Sequence, residues 1–200
     1  MSKESRKFKV PDEIATLYDF VSSLDLRHFV EHGVQHQPKD DLTSPSALAD
    51  WMAERGLSKS GAAPSRKTFE EAFRLRGALR DYIKCDPAER DRRAAIHQSL
   101  SAALEPFSLR VAGLGKKGMR LLPAQINAQP GISAVVAELY DGATSGMLAR
   151  LKMCAAEECQ RVFFDRSKPG TRRWCQSALC GNRMKTRTYR EKHKEERDQS

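Results

Sequence analysis

Four cysteines, Cys154, Cys159, Cys175 and Cys180, are the residues of this chain whose type and spacing can do chemistry. Each pair has four residues between its members, and fifteen residues separate the pairs. Two short cysteine loops brought together close a tetrahedron of thiolates around one zinc ion. All four coordination positions are then filled, and none is left for a reacting water, so the expected metal is one structural Zn2+. A second chemistry lies beside the cysteines. Arg172 and Arg173 precede Cys175, and Arg183, Arg187, Arg190, Lys194 and Arg197 follow Cys180 at steps of four, three, four and three. Those steps place the five cations on one helix face, with Lys185 and Lys192 flanking. Guanidinium groups suit bidentate contact with phosphate or guanine, and a helix with such a face suits the DNA major groove. The candidate nucleic-acid contacts are Arg172, Arg173, Arg183, Lys185, Arg187, Arg190 and Lys194.

The elements that must position these groups follow from the residues between them. Val162-Phe163-Phe164 reads as a strand, Ser167 to Thr171 as a turn, and Arg172-Arg173-Trp174 as a return toward the second cysteine pair. That is a hairpin between two cysteine loops. Ser177 is placed to cap a helix that begins near Ala178 and holds Cys180 in its first turn. Loop, hairpin and helix together make a treble-clef-like arrangement. A module this small buries too little apolar surface to fold alone, and metal ligation supplies the difference. Phe163, Phe164 and Trp174 are expected to form its small core; left exposed, they would stack RNA bases. Asp165 is expected to orient an arginine or close the turn.

Upstream, the apolar pattern is helical. Residues 1–10 read as mobile, and Pro11-Asp12-Glu13 opens a helix with Ile14, Leu17, Tyr18, Val21 and Leu24 inward. His28, His32 and His36 recur every fourth residue, but Gly33 interrupts them and no carboxylate or thiol joins them, so no metal is expected there. Ser44-Pro45 begins a second helix, with Leu48, Trp51 and Met52 on its apolar stripe and Gly56 at its end. After a loop over 58–65, a long helix runs from Lys67 to about Cys85, with Phe69, Phe73, Leu75, Ala78, Leu79, Tyr82 and Ile83 inward. Its Arg74, Arg76 and Arg80 are expected to pair with Glu70, Glu71 and Asp81. A further helix begins at Asp86-Pro87 and ends before Pro106. The period then changes to two at Phe107, Leu109 and Val111, and a β-hairpin turning over Leu114–Gly118 returns through Met119 to Leu122. Its glycines and lysines lack phosphate-loop spacing. A last helix carries Ile132, Val135, Val136, Leu139 and Tyr140. Met147, Leu148 and Leu151 lead to Cys154 over so short a link that the cysteine module must dock on the helical part.

Composition bounds the classes. With 30% charged and 40% hydrophobic residues, the chain is of globular type,. No apolar run reaches the ~18 residues of a spanning helix. Met1 to Lys9 is polar and basic, so no secretory signal is expected and a cytoplasmic location is. Paired cysteines in such a compartment are metal ligands rather than disulfides, and lone Cys85 reads as a small apolar residue. Of the net charge of +9, +7 falls in residues 150–200, which is the footprint of a polyanion partner. No nucleophile–base pair, catalytic carboxylate pair or open metal site is evident, so an enzyme is not expected.

Arg172-Arg173-Trp174-Cys175, Cys180-Gly181-Asn182-Arg183 and Phe164-Asp165-Arg166-Ser167 resemble the bacterial CGNR zinc-finger family. Asp19-Phe20-Val21, Leu24-Asp25-Leu26-Arg27, Asp41-Leu42, Leu48 with Trp51, Gly56-Leu57 and Leu75-Arg76-Gly77-Ala78-Leu79-Arg80 resemble the ABATE domain that precedes such fingers. The chain departs from that pattern at Ser22-Ser23, where the family often has Asn-Thr. The expected fold is mainly α with a small β-hairpin. A helical domain spans residues 11–149, and a treble-clef-like finger with its basic helix spans 150–197. The resemblance implies a DNA-binding transcriptional regulator, nucleoid-associated, whose helical domain is a sensor or oligomerisation unit. DNA is favoured over RNA as the partner, and a zinc-held protein-interaction module is the other alternative. A homodimer and a small-molecule effector at the helical domain are compatible with it.

Overall fold

The computed structural model describes residues 3–31, 33–58, 63–113, 118–124 and 130–198, without the side chains of Lys3, Glu4, Asp91, Pro130, Lys192 and 194–198. Most of it is helical, with four two-stranded antiparallel pairs. Helix α1 is Lys3–Lys7, and a 3-10 turn at Asp12–Ile14 leads into α2, Ala15–Ser22. Residues 3–10 are therefore built into the fold rather than loose: Val10 and Ser5 are buried, and Phe8 lies 6.4 Å from the Tyr18 ring. In α2, Leu17, Tyr18, Phe20 and Val21 are buried.

The segment after α2 is not helical. Strand β1 (Leu24–Asp25) pairs with β4 (Lys39–Asp40), and β2 (Val30–Glu31) pairs with β3 (Val34–Gln35) around Gly33, whose φ is +80°. His28 and His36 therefore share no helix face. The His28 ring lies 3.0 Å from the Leu26 carbonyl oxygen, whereas His36 Nε2 lies 3.0 Å from Glu31. His32 lies outside the described residues.

Helix α3 is Pro45–Glu54, begun as the sequence implies. The Ser44 hydroxyl accepts from the Ala47 N–H at 3.1 Å, a cap that contributes ~1 kcal/mol,. Gly56, at φ +68°, ends it. Helix α4 is Arg66–Lys84, capped by Ser65. Of the residues expected inward, Leu75, Ala78, Leu79 and Ile83 are buried, but Phe73 is 47% exposed. A 3-10 turn at Arg90–Arg92 precedes α5, Ala94–Leu104, so that helix starts later than Asp86-Pro87 suggests. Strands β5 (Leu109–Gly113) and β6 (Met119–Pro123) form the expected hairpin in the register Val111 to Leu121. Its turn residues 114–117 lie outside the described residues, as do 59–62 of the loop before α4. Helix α6, Pro130–Thr144, buries Ile132, Val135, Val136 and Leu139 against α2 and leaves Tyr140 exposed. It approaches the turn that leads into α2 closely enough that a Cβ on Gly142 would stand 2.9 Å from Ile14.

Buried cations hold the layers together. Arg76 is 1% exposed and grips Asp40 with Nη1 and Nη2, each at 2.6 Å, while Nη1 also donates to the Ser23 hydroxyl at 2.9 Å. Arg80 donates to the carbonyls of Val21 at 2.7 Å and Leu24 at 2.9 Å. Burial, with Arg76 one turn away, pushes Arg80 down to about 10. These two arginines thus tie α4 to α2 and β4, not to the neighbouring acids expected from sequence. Arg90 spreads over the carbonyls of Cys85, Leu148, Ile83 and Leu151 at 3.0–3.3 Å. It fastens the end of α4 to Leu148 and Leu151.

Candidate metal centre

After a 3-10 turn at Met147–Arg150, strand β7 (Leu151–Met153) pairs with β8 (Val162–Phe164), and the loop between them carries Cys154 and Cys159. The partner of Val162–Phe164 is therefore the strand before the first cysteine, not Arg172–Trp174. The reason is burial: Leu151, Met153 and Val162 belong to the same core as α2, α4 and α6. Each fully buried side chain of that size contributes ~1.5–3 kcal/mol. The first cysteine loop is thus carried by a hairpin rooted in the helical body, as the short link at Leu151 implied.

Lys152 and Asp165 organise the long connection. Asp165 has no accessible surface. It accepts from the Ser167 N–H at 3.0 Å, the Ser167 hydroxyl at 2.7 Å, the Arg172 N–H at 2.8 Å and Lys152 Nζ at 3.0 Å. Burial opposes ionisation here, but the bonds from Ser167, Arg172 and Lys152 outweigh it and hold the carboxyl at about 2. Lys152 also donates to the Gly170 and Arg172 carbonyls, and Arg150 donates to those of Asp165 and Ser167. Asp165 closes the turn, one of the two roles read for it from sequence.

The second cysteine pair sits at the start of the last helix. A π-helical turn, Ser177–Gly181, presents Cys180, and α7, Asn182–Asp198, continues from it. Ser177 makes no capping bond; Gln176 holds the cap position. All four sulfurs lie within 4.8 Å of one another. Cys175 Sγ is 3.6 Å from Cys159 Sγ and 3.7 Å from Cys180 Sγ. A tetrahedron with Zn–S bonds of ~2.3 Å has edges of ~3.8 Å, whereas a disulfide needs ~2.05 Å. The donor set and its spacing fit one structural zinc ion. The thiols cannot all ionise unaided: contact with Cys154, then with Cys159, pushes Cys175 and Cys180 up. Bonds from Cys159, Cys175 and Cys180 pull Cys154 down. A divalent cation removes that conflict by binding all four as thiolates.

Around the sulfurs is a second core of Phe29, Ala156 and Phe163, with Trp174, Leu179 and Met184 packed against it. Phe29 comes from the segment between β1 and β2, and sequence reasoning missed it. The His28 N–H donates to the Glu158 carbonyl at 3.0 Å, and Arg161 reaches Glu31 at 3.2 Å. The Arg183 guanidinium lies 4.0 Å from the Phe29 ring centroid and pairs with Glu158.

The expected cations divide accordingly. Arg172 is half-buried, donates to the Cys175 carbonyl at 2.6 Å and lies over Phe163. Arg183 is half-buried in its pair with Glu158. Arg173, Lys185, Arg187 and Arg190 are exposed. Arg187 lies 2.8 Å from Glu191 and 3.9 Å from Glu157 and Glu158. Lys194 falls on α7, but its side chain lies outside those described. From Lys185 onward every described side chain of α7 is exposed, Tyr189 at 65%. No helix among the described residues is long and apolar enough to cross a membrane.

A family model described as CGNR zinc finger matches residues 150–193, and the ABATE model, described as "Putative stress-induced transcription regulator", matches residues 15–157. The two matches overlap across the β7 strand and the start of the first cysteine loop, where the two cores meet. A search of curated proteins finds no match to the chain.

Proposed function

The chain belongs to the ABATE family and carries a CGNR zinc finger, and from that premise we propose that it is a zinc-dependent, DNA-binding transcriptional regulator. In this reading residues 150–197 are the nucleic-acid-binding unit, and residues 11–149 are a sensor or oligomerisation domain. The observation that supports it is α7 itself. A helix that buries no described side chain beyond Met184, and bears Lys185, Arg187 and Arg190 in solvent, offers no core-forming face among the described residues,. Its 17 residues are long enough to lie along the major groove, which admits a single helix,. Zinc fixes the root of this helix through Cys180, and Arg173 stands exposed on the approach to Cys175.

DNA is the better fit of the two nucleic acids. Phe163 is buried, Phe164 packs on the main core and Trp174 packs on the cysteine core. Rings so placed are poor stacking platforms for unpaired bases. The closed thiolate set gives zinc a scaffolding role and no place in a reaction. Arg173, Lys185, Arg187 and Arg190 are the exposed contacts proposed here; Arg172 is a brace on the Cys175 carbonyl, and Arg183 is paired with Glu158 in the free protein.

Fluorescence anisotropy with labelled duplex DNA and single-stranded RNA, at rising salt, tests the reading. For each phosphate neutralised, log affinity should fall with log salt at a slope of ~0.9 on duplex DNA. Arg187→Ala with Arg190→Ala should weaken binding at least tenfold and flatten that slope. Equal affinity in the double variant, or binding insensitive to salt, would refute it; preference for RNA would move the reading to RNA.

A further inference from the structure

The arginine stripe that should face a phosphate chain is partly occupied from within. Arg183, Arg187 and Arg190 line an open groove of about 550 Å3 along α7, together with Glu158 and Glu191. Glu158 pairs with Arg183 and lies 3.9 Å from Arg187 Nη1, and Glu157 lies 3.9 Å from the same nitrogen. These two acids form the lip of the first cysteine loop, with Glu158 25 residues before Arg183 in the chain. Their placement is built, not casual. The turn is closed by the Cys159 N–H on the Ala156 carbonyl at 2.9 Å, and the His28 N–H pins the Glu158 carbonyl at 3.0 Å. The Arg183 guanidinium is held on its other face by Phe29. The pair is only half-buried, with side-chain exposures of 30% and 37%, so an incoming anion can reach it.

We propose that the Glu157–Glu158 lip is an autoinhibitory counterion, which competes with nucleic-acid phosphate for Arg183 and Arg187 and is held in place by the His28–Phe29 segment of the helical domain. The inference rests on the nucleic-acid reading for its biological partner. The competition itself applies to any polyanion that enters the groove. A phosphate oxygen takes the position of the Glu158 carboxylate on Arg183, and the carboxylate turns out to solvent. The segment between β1 and β4, which holds the lip, is thereby the part of the helical domain able to alter the strength of binding.

The test compares the full-length wild type, Glu158→Gln, Glu157→Gln and a distant surface control, Glu13→Gln. Affinity is measured for duplex DNA and for heparin, with zinc content determined for each protein. Removal of one competing charge should tighten Glu158→Gln about three- to tenfold on duplex DNA and on heparin at 50 mM salt. Glu157→Gln, with the more distant contact, should gain about twofold, and Glu13→Gln should match the wild type. Unchanged or weaker heparin binding by zinc-loaded Glu158→Gln and Glu157→Gln would overturn the proposal, as would an equal gain in Glu13→Gln. If no duplex or RNA binding is found but Glu158→Gln still tightens on heparin, the nucleic-acid reading fails while the lip stands.

Discussion

Replacement of Asp165 by Asn tests whether one buried carboxylate holds the finger together. The carboxylate faces donors on every side: Lys152 Nζ, the Ser167 N–H and hydroxyl, and the Arg172 N–H. An amide of the same size has one acceptor oxygen and two donor hydrogens, so at least one donor must meet a donor. Lys152, 11% exposed, also loses its counter-charge. Breaking such a buried pair from one side costs ~3–5 kcal/mol, against a total stability of ~5–15 kcal/mol. The pH dependence gives an independent estimate. The folded carboxyl sits at about 2, below its ordinary 3.8, so ionisation stabilises the fold by about 2 kcal/mol. Because the folded value is the lower one, that stabilisation is complete above about pH 4 and is lost as pH falls toward 2. Urea unfolding of both proteins, followed by Trp51 and Trp174 fluorescence, should show a gap of ~3–5 kcal/mol at pH 7 that narrows by about 2 kcal/mol between pH 4 and pH 2. Loss of zinc on acidification affects both proteins and cancels in the difference. A gap under ~1 kcal/mol at pH 7, the range of a surface substitution, or one that stays constant down to pH 2, would refute the reasoning.

Metal analysis should find one zinc per chain, a strong chelator should remove it with loss of the finger's structure, and Cys175→Ser should not retain it. Zinc affinity should fall on acidification as protons compete for the thiolates. Phe29→Ala should speed zinc extraction by a chromogenic chelator several-fold, because it opens the core around the sulfurs,; an unchanged rate would show that Phe29 lends no support. Glu138 accepts the Thr16 and Leu17 N–H groups at 2.8 and 2.9 Å at the start of α2. Glu138→Ala should cost ~1–2 kcal/mol in thermal unfolding, while Glu138→Gln, which keeps an acceptor without a charge, should cost much less. Arg76→Ala strands Asp40 and should cost ~3–5 kcal/mol by urea titration; a loss under ~1 kcal/mol would mean that water replaces the guanidinium.

Local signals carried much of this molecule. Ser44-Pro45 capped α3, the 3.6 period marked α4 and α6, and the period of two marked β5 and β6, because each reports on neighbours a few residues away. Two-residue strands such as β1 to β4 are too short to show a period of two. Tertiary pairing makes them strands, so periodicity does not reveal them. Arg76 and Arg80 stand one turn apart on the face that carries Leu79 and Ile83, a placement that signals burial. Their partners, Asp40 and the carbonyls of Val21 and Leu24, lie more than thirty residues away and are invisible to an i, i+4 rule,.

The metal centre shows the same division. The sequence by itself determined the four thiolates and the basic stripe, because ligand spacing and helical step are properties of a chain only tens of residues long. Only the tertiary structure decided what surrounds them. It gave Val162–Phe164 a partner upstream of the first cysteine, since Leu151 and Met153 complete a core built by distant helices. It brought Phe29 to the sulfurs, and it set Glu157 and Glu158 against the arginines of α7. Charge counted along a chain adds up regardless of position, whereas the field at the groove depends on which acids folding brings within a few ångströms.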